Sequence, residues 1–201
     1  MTHAVARPTA ARFFESPQAK FARTVLTVLA GAALVTLAAK TQIPFWPVPM
    51  TLHTLAVMAL AVACGPRVAV SILLIYLASG AAGLPVFSGS PERGVGLAYM
   101  AGPTGGYLLG YLAAAGAVGA LARGAGLVGR VGAMLAGLAL VYLFGLAWLA
   151  VYVPVDRLLA VGVAPFLLGD LLKIGVVAVG GALLPGLRGW VRGVRSWGGR
   201  S

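Results

Sequence analysis

The sequence has little charge, and very little of that charge is negative. Only 9% of the 201 residues are charged and only 4 are aspartate or glutamate, whereas 60% are hydrophobic. An ordinary soluble domain carries about 25% charged residues. The composition therefore excludes such a domain and predicts a multi-pass protein of the cell membrane. The 15 basic residues separate apolar runs rather than forming one stripe, which argues against nucleic-acid binding.

Cysteine and histidine are also scarce. The single cysteine, Cys64, cannot form a disulfide within the chain, and the 2 histidines do not cluster with cysteines or carboxylates. The glycine-rich segments lack the Lys-Ser or Lys-Thr ending of a phosphate-binding loop. We therefore expect no metal site, no cofactor and no ATP hydrolysis by this chain itself.

Six apolar segments predict six transmembrane helices. They cover Thr24–Ala39, Leu52–Cys64, Val68–Ala82, Thr104–Ala122, Val131–Val153 and Val161–Leu184. The second and third runs are shorter than the roughly 17 residues that cross a bilayer, so one of them is tilted, extended by its flanks or re-entrant. We expect an all-α, polytopic single membrane domain over 1–201, with a six-helix bundle over 23–184, a cytoplasmic tail over 1–22 and a basic cytoplasmic tail over 185–201.

The placement of basic residues predicts that both termini are cytoplasmic. In that topology eleven of the 15 lie on the cytoplasmic side, three (Lys40, Arg93 and Arg157) lie outside, and Lys173 lies within the membrane. An excess of lysine and arginine in cytoplasmic segments is the rule for membrane proteins.

Two irregular segments fall on the outer side. Lys40–Met50 contains three prolines in six residues, each of which removes a backbone donor. We expect ordered, non-helical structure there, with Phe45 and Trp46 at the membrane interface. Gly83–Pro103 is rich in glycine and proline but poor in charge. Irregular backbone at membrane depth lines a cavity or is buried in protein, so we expect this segment to fold back as a lid.

Asp170 and Lys173 are the only charged residues of the last predicted helix. They lie three positions apart and therefore share one helix face. Each costs about 2.5–3.5 kcal/mol in the middle of a membrane. Two interpretations stay open: the pair neutralises itself and fixes helix packing, or it binds a polar solute. At about 1.5 Å per residue the pair lies about 10–15 Å below the outer end of its helix, in a pocket that opens outward.

The segment Gly102–Tyr107 also has two interpretations. It could begin a helix, with Thr104 as the cap and with glycines that allow close helix packing. Alternatively, its backbone amides could face an anionic group of a ligand.

Three stretches carry a more specific signal. They are QIPFWPVPMTLHT at 42–54, GLPVF at 83–87 continuing to GPTGGYL at 102–108, and GDLLK at 169–173. Together they resemble the BioY family, the biotin-specific substrate-binding subunits of energy-coupling-factor transporters. The resemblance extends from the first predicted helix to the last and excludes the tails.

The resemblance implies a non-enzymatic six-helix bundle that captures biotin from outside the cell with high affinity. The family's Asp and Lys of the last helix contact the vitamin, and they correspond to Asp170 and Lys173. We hypothesise that Asp170 accepts hydrogen bonds from the ureido N–H groups and that Lys173 donates to a carbonyl or carboxylate oxygen. The other implied lining residues are Phe87, Ser88, Tyr99, Gly102 and Tyr107. The implied partners are the lipid bilayer, a membrane coupling subunit and two cytoplasmic ATPases, and no nucleic acid.

The chain departs from the family pattern in two places. The first helix has no clean Ala-x-x-x-Ala repeat for docking, and its nearest pairs of small residues are Thr27/Gly31 and Ala32/Thr36. His53 stands where the family often has glutamine. The alternatives are a carrier that acts alone and is coupled to protons, a subunit for another small vitamin, and an intramembrane enzyme that uses Asp170 as an acid or base.

Overall fold

The structure is a computed structural model that describes residues 17–43 and 46–183. The α-helices are α1 Pro17–Lys40, α2 His53–Cys64, α3 Pro66–Ala81, α4 Gly96–Met100, α5 Gly105–Leu121, α6 Leu127–Leu149, α7 Leu158–Gly162 and α8 Ala164–Leu183. Two short strands, β1 Gln42–Ile43 and β2 Met50–Thr51, and a 3-10 helix at Val155–Arg157 complete the elements. The predicted all-α class is confirmed.

The predicted tails are largely not described. Residues 1–16 of the N-terminal tail and all of the tail over 185–201 lie outside the described residues. The part of the N-terminal tail that is described, residues 17–22, already belongs to α1.

Each predicted span overlaps one of the helices α1, α2, α3, α5, α6 and α8, and the last span also contains the end of α7. Among the described residues, three segments are long and apolar enough to cross a bilayer, namely Phe21–Lys40, Leu127–Leu149 and Val155–Gly180. The other three helices are apolar but shorter. The 12 residues of α2 extend only about 18 Å, so α2 alone does not cross a hydrocarbon core of about 30 Å.

Glycine brings α5 and α6 into close contact. A Cβ atom on Gly106 would lie 2.3 Å from the carbonyl oxygen of Phe144, and one on Gly110 would lie 2.7 Å from the Cα of Val141. A side chain at either position would push the helices apart, which is why membrane helices favour small residues at such contacts. The close-packing interpretation of Gly102–Tyr107 therefore holds at Gly106.

Large apolar side chains cover the outside of the bundle. Leu26, Leu143, Leu168 and Leu172 are 63–72% exposed. Soluble monomers rarely expose extensive apolar surface, whereas lipid tails accept it. The exposed leucines and the apolar helices are those of a multi-pass membrane protein.

The proline-rich segment forms a small antiparallel hairpin. Its strands pair Gln42 with Thr51 and Ile43 with Met50, so the expectation of ordered, non-helical structure is confirmed for the described residues 41–43 and 46–50. Trp46, in the loop of the hairpin, is 81% exposed and available to a membrane interface. Phe45, predicted beside it, lies outside the described residues.

The long segment between α3 and α5 folds against this hairpin. Lys40 Nζ donates a hydrogen bond of 2.5 Å to the carbonyl of Ser90, and Arg93 donates one of 3.0 Å to the carbonyl of Pro47. The segment is not wholly irregular, because it contains α4. These contacts hold the segment and the hairpin together.

Candidate functional site

A cavity lies among the helices, next to the hairpin and the long segment. Its empty volume, including the part open to solvent, is about 560 Å³. The wall combines one ion pair with hydroxyl groups, aromatic rings and apolar side chains. Its lining residues are Val48, Pro49, Met50, Thr51, His53, Thr54, Tyr76, Ser88, Tyr99, Thr104, Tyr107, Leu108, Tyr111, Val141, Tyr142, Phe166, Asp170 and Lys173.

Asp170 and Lys173 form an ion pair on the α8 wall of this cavity. Lys173 Nζ lies 2.9 Å from Asp170 Oδ1. The same ammonium donates a hydrogen bond of 2.7 Å to the carbonyl of Thr51, at the end of β2. The hydroxyl of Tyr142, on α6, donates one of 2.8 Å to Asp170 Oδ2. The pair therefore connects α8 to the hairpin on one side and to α6 on the other.

The ion pair is almost completely removed from solvent. Only 6% of the Asp170 side chain and 11% of the Lys173 side chain is exposed. Buried charges are costly unless they are paired and their remaining polar atoms form hydrogen bonds. Thr51 and Tyr142 supply those bonds. Electrostatic interactions with a molecule in the cavity would also be stronger there than in water.

Aromatic rings form another part of the wall. The His53 ring stacks on Tyr111, with centroids 4.5 Å apart, and meets Tyr76 edge-on at 5.2 Å. The hydroxyl groups of Thr54 and Tyr111 share a hydrogen bond of 3.2 Å. Within the described part of the chain, His53 Nε2 has no hydrogen-bond partner. His53 is therefore packed among aromatic rings in the cavity wall.

Three other residues named by the family resemblance, Ser88, Tyr99 and Tyr107, also line the cavity. The Ser88 hydroxyl donates to the side chain of Gln42, and the Ser88 carbonyl accepts a hydrogen bond of 2.8 Å from Tyr99. Tyr107 donates one of 2.8 Å to the carbonyl of Gly162, just before α8. Burial raises the pKa of Tyr99, so its phenol stays protonated and remains a donor.

Phe87 and Gly102, which the resemblance also names, do not reach the cavity. Phe87 is fully buried and stacks on Tyr99, with centroids 4.8 Å apart. The carbonyl of Gly102 accepts a hydrogen bond of 3.0 Å from the indole of Trp148. These residues support the wall from behind, at Tyr99 and at the start of α5. Outside the short helix α4 this long segment is irregular, so no periodicity in the sequence could indicate which of its side chains point inward.

Thr104 has a different role from the expected one. The predicted helix start is confirmed, because α5 begins at Gly105 with Thr104 at the N-cap position, but the Thr104 side chain makes no capping hydrogen bond. Thr104 lines the cavity instead. The proposed contact between backbone amides of this segment and an anionic group stays a prediction.

Sequence reasoning missed Tyr111 and Tyr142. Tyr111 follows Tyr107 by four residues and therefore lies on the same face of α5, which is a signal that the sequence does contain. Tyr142 is a hydroxyl-bearing residue in the middle of an apolar helix. Nothing local predicts that it would meet Asp170, because the two residues are 28 positions apart on different helices.

The fold and the cavity together define a class: an α-helical membrane protein whose bundle contains a cavity lined by an ion pair, hydroxyl groups and aromatic rings. Comparison with known proteins gives the family. A family model described as the BioY family matches residues 7–189, and the chain belongs to the BioY family.

Related proteins agree with this assignment. The probable biotin transporter BioY of Pyrococcus horikoshii is 34% identical over 158 residues, which cover 79% of this chain and 93% of that protein. The biotin transporter BioY of Thermotoga maritima is 35% identical over 149 residues, which cover 73% and 86%. These relatives are transporters, and the expectation that the chain is not an enzyme is confirmed.

A solved structure shares the fold. It is the crystal structure of the S-component for biotin from an ECF-type ABC transporter, with a TM-score of 0.70 and 23% sequence identity. The match covers 82% of this chain and 90% of that chain.

Proposed function

We propose that this chain binds biotin with high affinity from the extracytoplasmic side and serves as the substrate-binding subunit of an energy-coupled vitamin importer. The observation that carries the proposal is the buried Asp170–Lys173 pair on the cavity wall. The names of the related proteins supply the identity of the vitamin.

The hydrogen-bonding capacity of the pair matches a ureido group. A carboxylate has about four acceptor sites and an ammonium has three donors. Each side chain makes two hydrogen bonds to the described residues. About two acceptor sites of Asp170 and about one donor of Lys173 remain, and a ureido ring offers two N–H donors and one carbonyl. In this arrangement Asp170 accepts from the N–H groups and Lys173 donates to the carbonyl.

The remaining wall suits the rest of the vitamin. Rings of Tyr76, Tyr107 and Tyr111 offer apolar faces to a sulfur-containing ring and an alkyl chain. Ser88, Tyr99 and Tyr107 are proposed as lining residues that contact the ligand. Phe87 and Gly102 contribute by holding Tyr99 and the start of α5.

The proposal includes a topology. Helices α1, α2, α3, α5, α6 and α8 provide six spans in one membrane domain, with the crossing at the short α2 completed by its flanking segments, and both termini are cytoplasmic. The excess of eleven basic residues over three supports this orientation. The hairpin and the long segment then lie on the outer side, where biotin would enter.

The proposed partners are a membrane coupling subunit and cytoplasmic ATPases. The chain has no phosphate-binding motif of its own, so an ATPase has to be supplied by another protein. The Thr27/Gly31 pair does not form the docking face. Thr27 is buried, and a Cβ atom on Gly31 would lie 2.4 Å from the Ile72 side chain of α3. The exposed face of α1, which includes Leu26 and Leu29, is available to a partner or to lipid.

Calorimetry tests the proposed function. Purified wild-type protein should bind biotin tightly, and Asp170→Asn and Lys173→Ala should each weaken binding by about 1.5–3 kcal/mol for every lost hydrogen bond to a charged group. The variants to compare are those that remain folded at the assay temperature, with unchanged helix content and cooperative thermal unfolding above that temperature. Failure of the wild type to bind biotin would reject the proposal.

A further inference from the structure

Among the described residues, Tyr142 is the side chain that forms a hydrogen bond to Asp170 from a different helix. Its hydroxyl donates a hydrogen bond of 2.8 Å to Asp170 Oδ2, while Lys173 occupies Asp170 Oδ1 at 2.9 Å. The two carboxylate oxygens are therefore bonded to different elements, one on α8 and the other on α6. Tyr142 also lines the cavity, so this bond forms at the wall itself.

Lys173 cannot fix the carboxylate by itself. An aspartate rotates about two side-chain torsions, and an ion pair between positions three apart on one helix tolerates several of the resulting orientations. A second bond from α6 selects one orientation. It is also a charge-assisted bond, about twice as strong as a bond between neutral groups. The Tyr142 hydroxyl and the Lys173 ammonium together fix the orientation of the carboxylate, so that the remaining acceptor sites of Asp170 point in one direction.

We propose that Tyr142 is a positioning residue for ligand binding, which orients the Asp170 carboxylate so that its remaining acceptor sites face N–H donors of the ligand. This inference rests on the proposed function, because it assumes that Asp170 contacts biotin. Tyr142 contributes through Asp170 rather than through its own contact with the vitamin.

The test is a double-mutant cycle with radiolabelled biotin and purified protein. Tyr142→Phe removes one oxygen and keeps the ring, so the packing of α6 is preserved. It should weaken biotin binding about tenfold or more, the factor that corresponds to the loss of one hydrogen bond to a charged group. In an Asp170→Asn background the same substitution should change binding by less than about threefold, because the group that Tyr142 orients has lost its charge.

A matched control removes a phenol hydroxyl from outside the cavity. Tyr152 follows α6 and donates to the carbonyl of Ala101, and it does not line the cavity. Tyr152→Phe should leave the affinity within about twofold of wild type. Thermal unfolding of each variant shows whether the fold is retained.

The outcomes separate the two proposals. If wild-type protein does not bind biotin, the proposed function fails and this inference fails with it. If wild type binds biotin and Tyr142→Phe binds equally well, only the inference is overturned. If Tyr142→Phe weakens binding by the same factor with Asp170 and with Asn at position 170, Tyr142 acts independently of the carboxylate, which also overturns the inference.

Discussion

Lys173 and Thr51 are 122 positions apart in the sequence, yet the Lys173 ammonium donates a hydrogen bond of 2.7 Å to the Thr51 carbonyl. The bond joins the last helix to the end of the hairpin at the cavity. The cation that pairs with Asp170 thus also holds part of the cavity wall, and a ligand that contacts Lys173 contacts a group bonded to both elements.

Replacing Lys173 should destabilise the protein as well as weaken binding. Lys173→Met leaves Asp170 buried without its cation, which should lower the free energy of unfolding by about 3–5 kcal/mol. The double variant Asp170→Asn with Lys173→Met should recover part of that loss, because it leaves no buried charge. Denaturant unfolding in detergent measures the free energy of unfolding of the single and the double variant.

The control is Arg157→Met, at an exposed position, which should change the free energy of unfolding by less than about 0.5 kcal/mol. A fully stable Lys173→Met variant would contradict the argument.

Two glycines of α5 should respond in opposite directions to substitution by alanine. Gly106→Ala places a Cβ atom 2.3 Å from the Phe144 carbonyl oxygen, and overpacking of this kind costs about 1–3 kcal/mol. Gly116→Ala meets only the Val70 side chain at 3.5 Å, an ordinary contact. It should be neutral or stabilise the helix by up to about 1 kcal/mol. Thermal unfolding compares the stability of the two variants. Equal changes in stability would show that the close contact between α5 and α6 does not restrict the size of the residue at position 106.

The contact between the hairpin and the long segment should slow the release of biotin. Arg93→Ala removes the bond to the Pro47 carbonyl. Loss of about 1 kcal/mol from this contact should raise the dissociation rate about fivefold. A pulse-chase measurement with labelled biotin gives the rate. The neighbouring, exposed Glu92→Ala should not change it, and an unchanged rate in Arg93→Ala would contradict a retaining role for this contact.

The proposed topology predicts which exposed positions are reached from outside the cell. In a Cys64→Ala background, Glu92→Cys should react with a membrane-impermeant maleimide on intact cells. Arg123→Cys, between α5 and α6, should react only after the membrane is opened. Both side chains are exposed, so accessibility should decide the result. Reaction of Arg123→Cys on intact cells would reject the topology with cytoplasmic termini.

Local patterns were sufficient for much of the fold and for the centre of the site. Long apolar runs indicate helices because the bilayer requires every backbone polar group to be satisfied within the segment. The spacing of Asp170 and Lys173 brings them together on any helix, since positions three apart share a face. Prolines at 44, 47 and 49 exclude a helix regardless of the surroundings.

Tertiary structure alone decided which other residues meet the ion pair. Thr51 and Tyr142 reach Lys173 and Asp170 from the hairpin and from α6, and no local pattern encodes such a distant contact. Apart from the five residues of α4, the long segment follows no period, so only its folded path turns Ser88 and Tyr99 toward the cavity and leaves Phe87 behind Tyr99. The sequence by itself determined a membrane bundle with a charged pair inside. The packing of its helices, made close by glycine, determined the cavity around that pair.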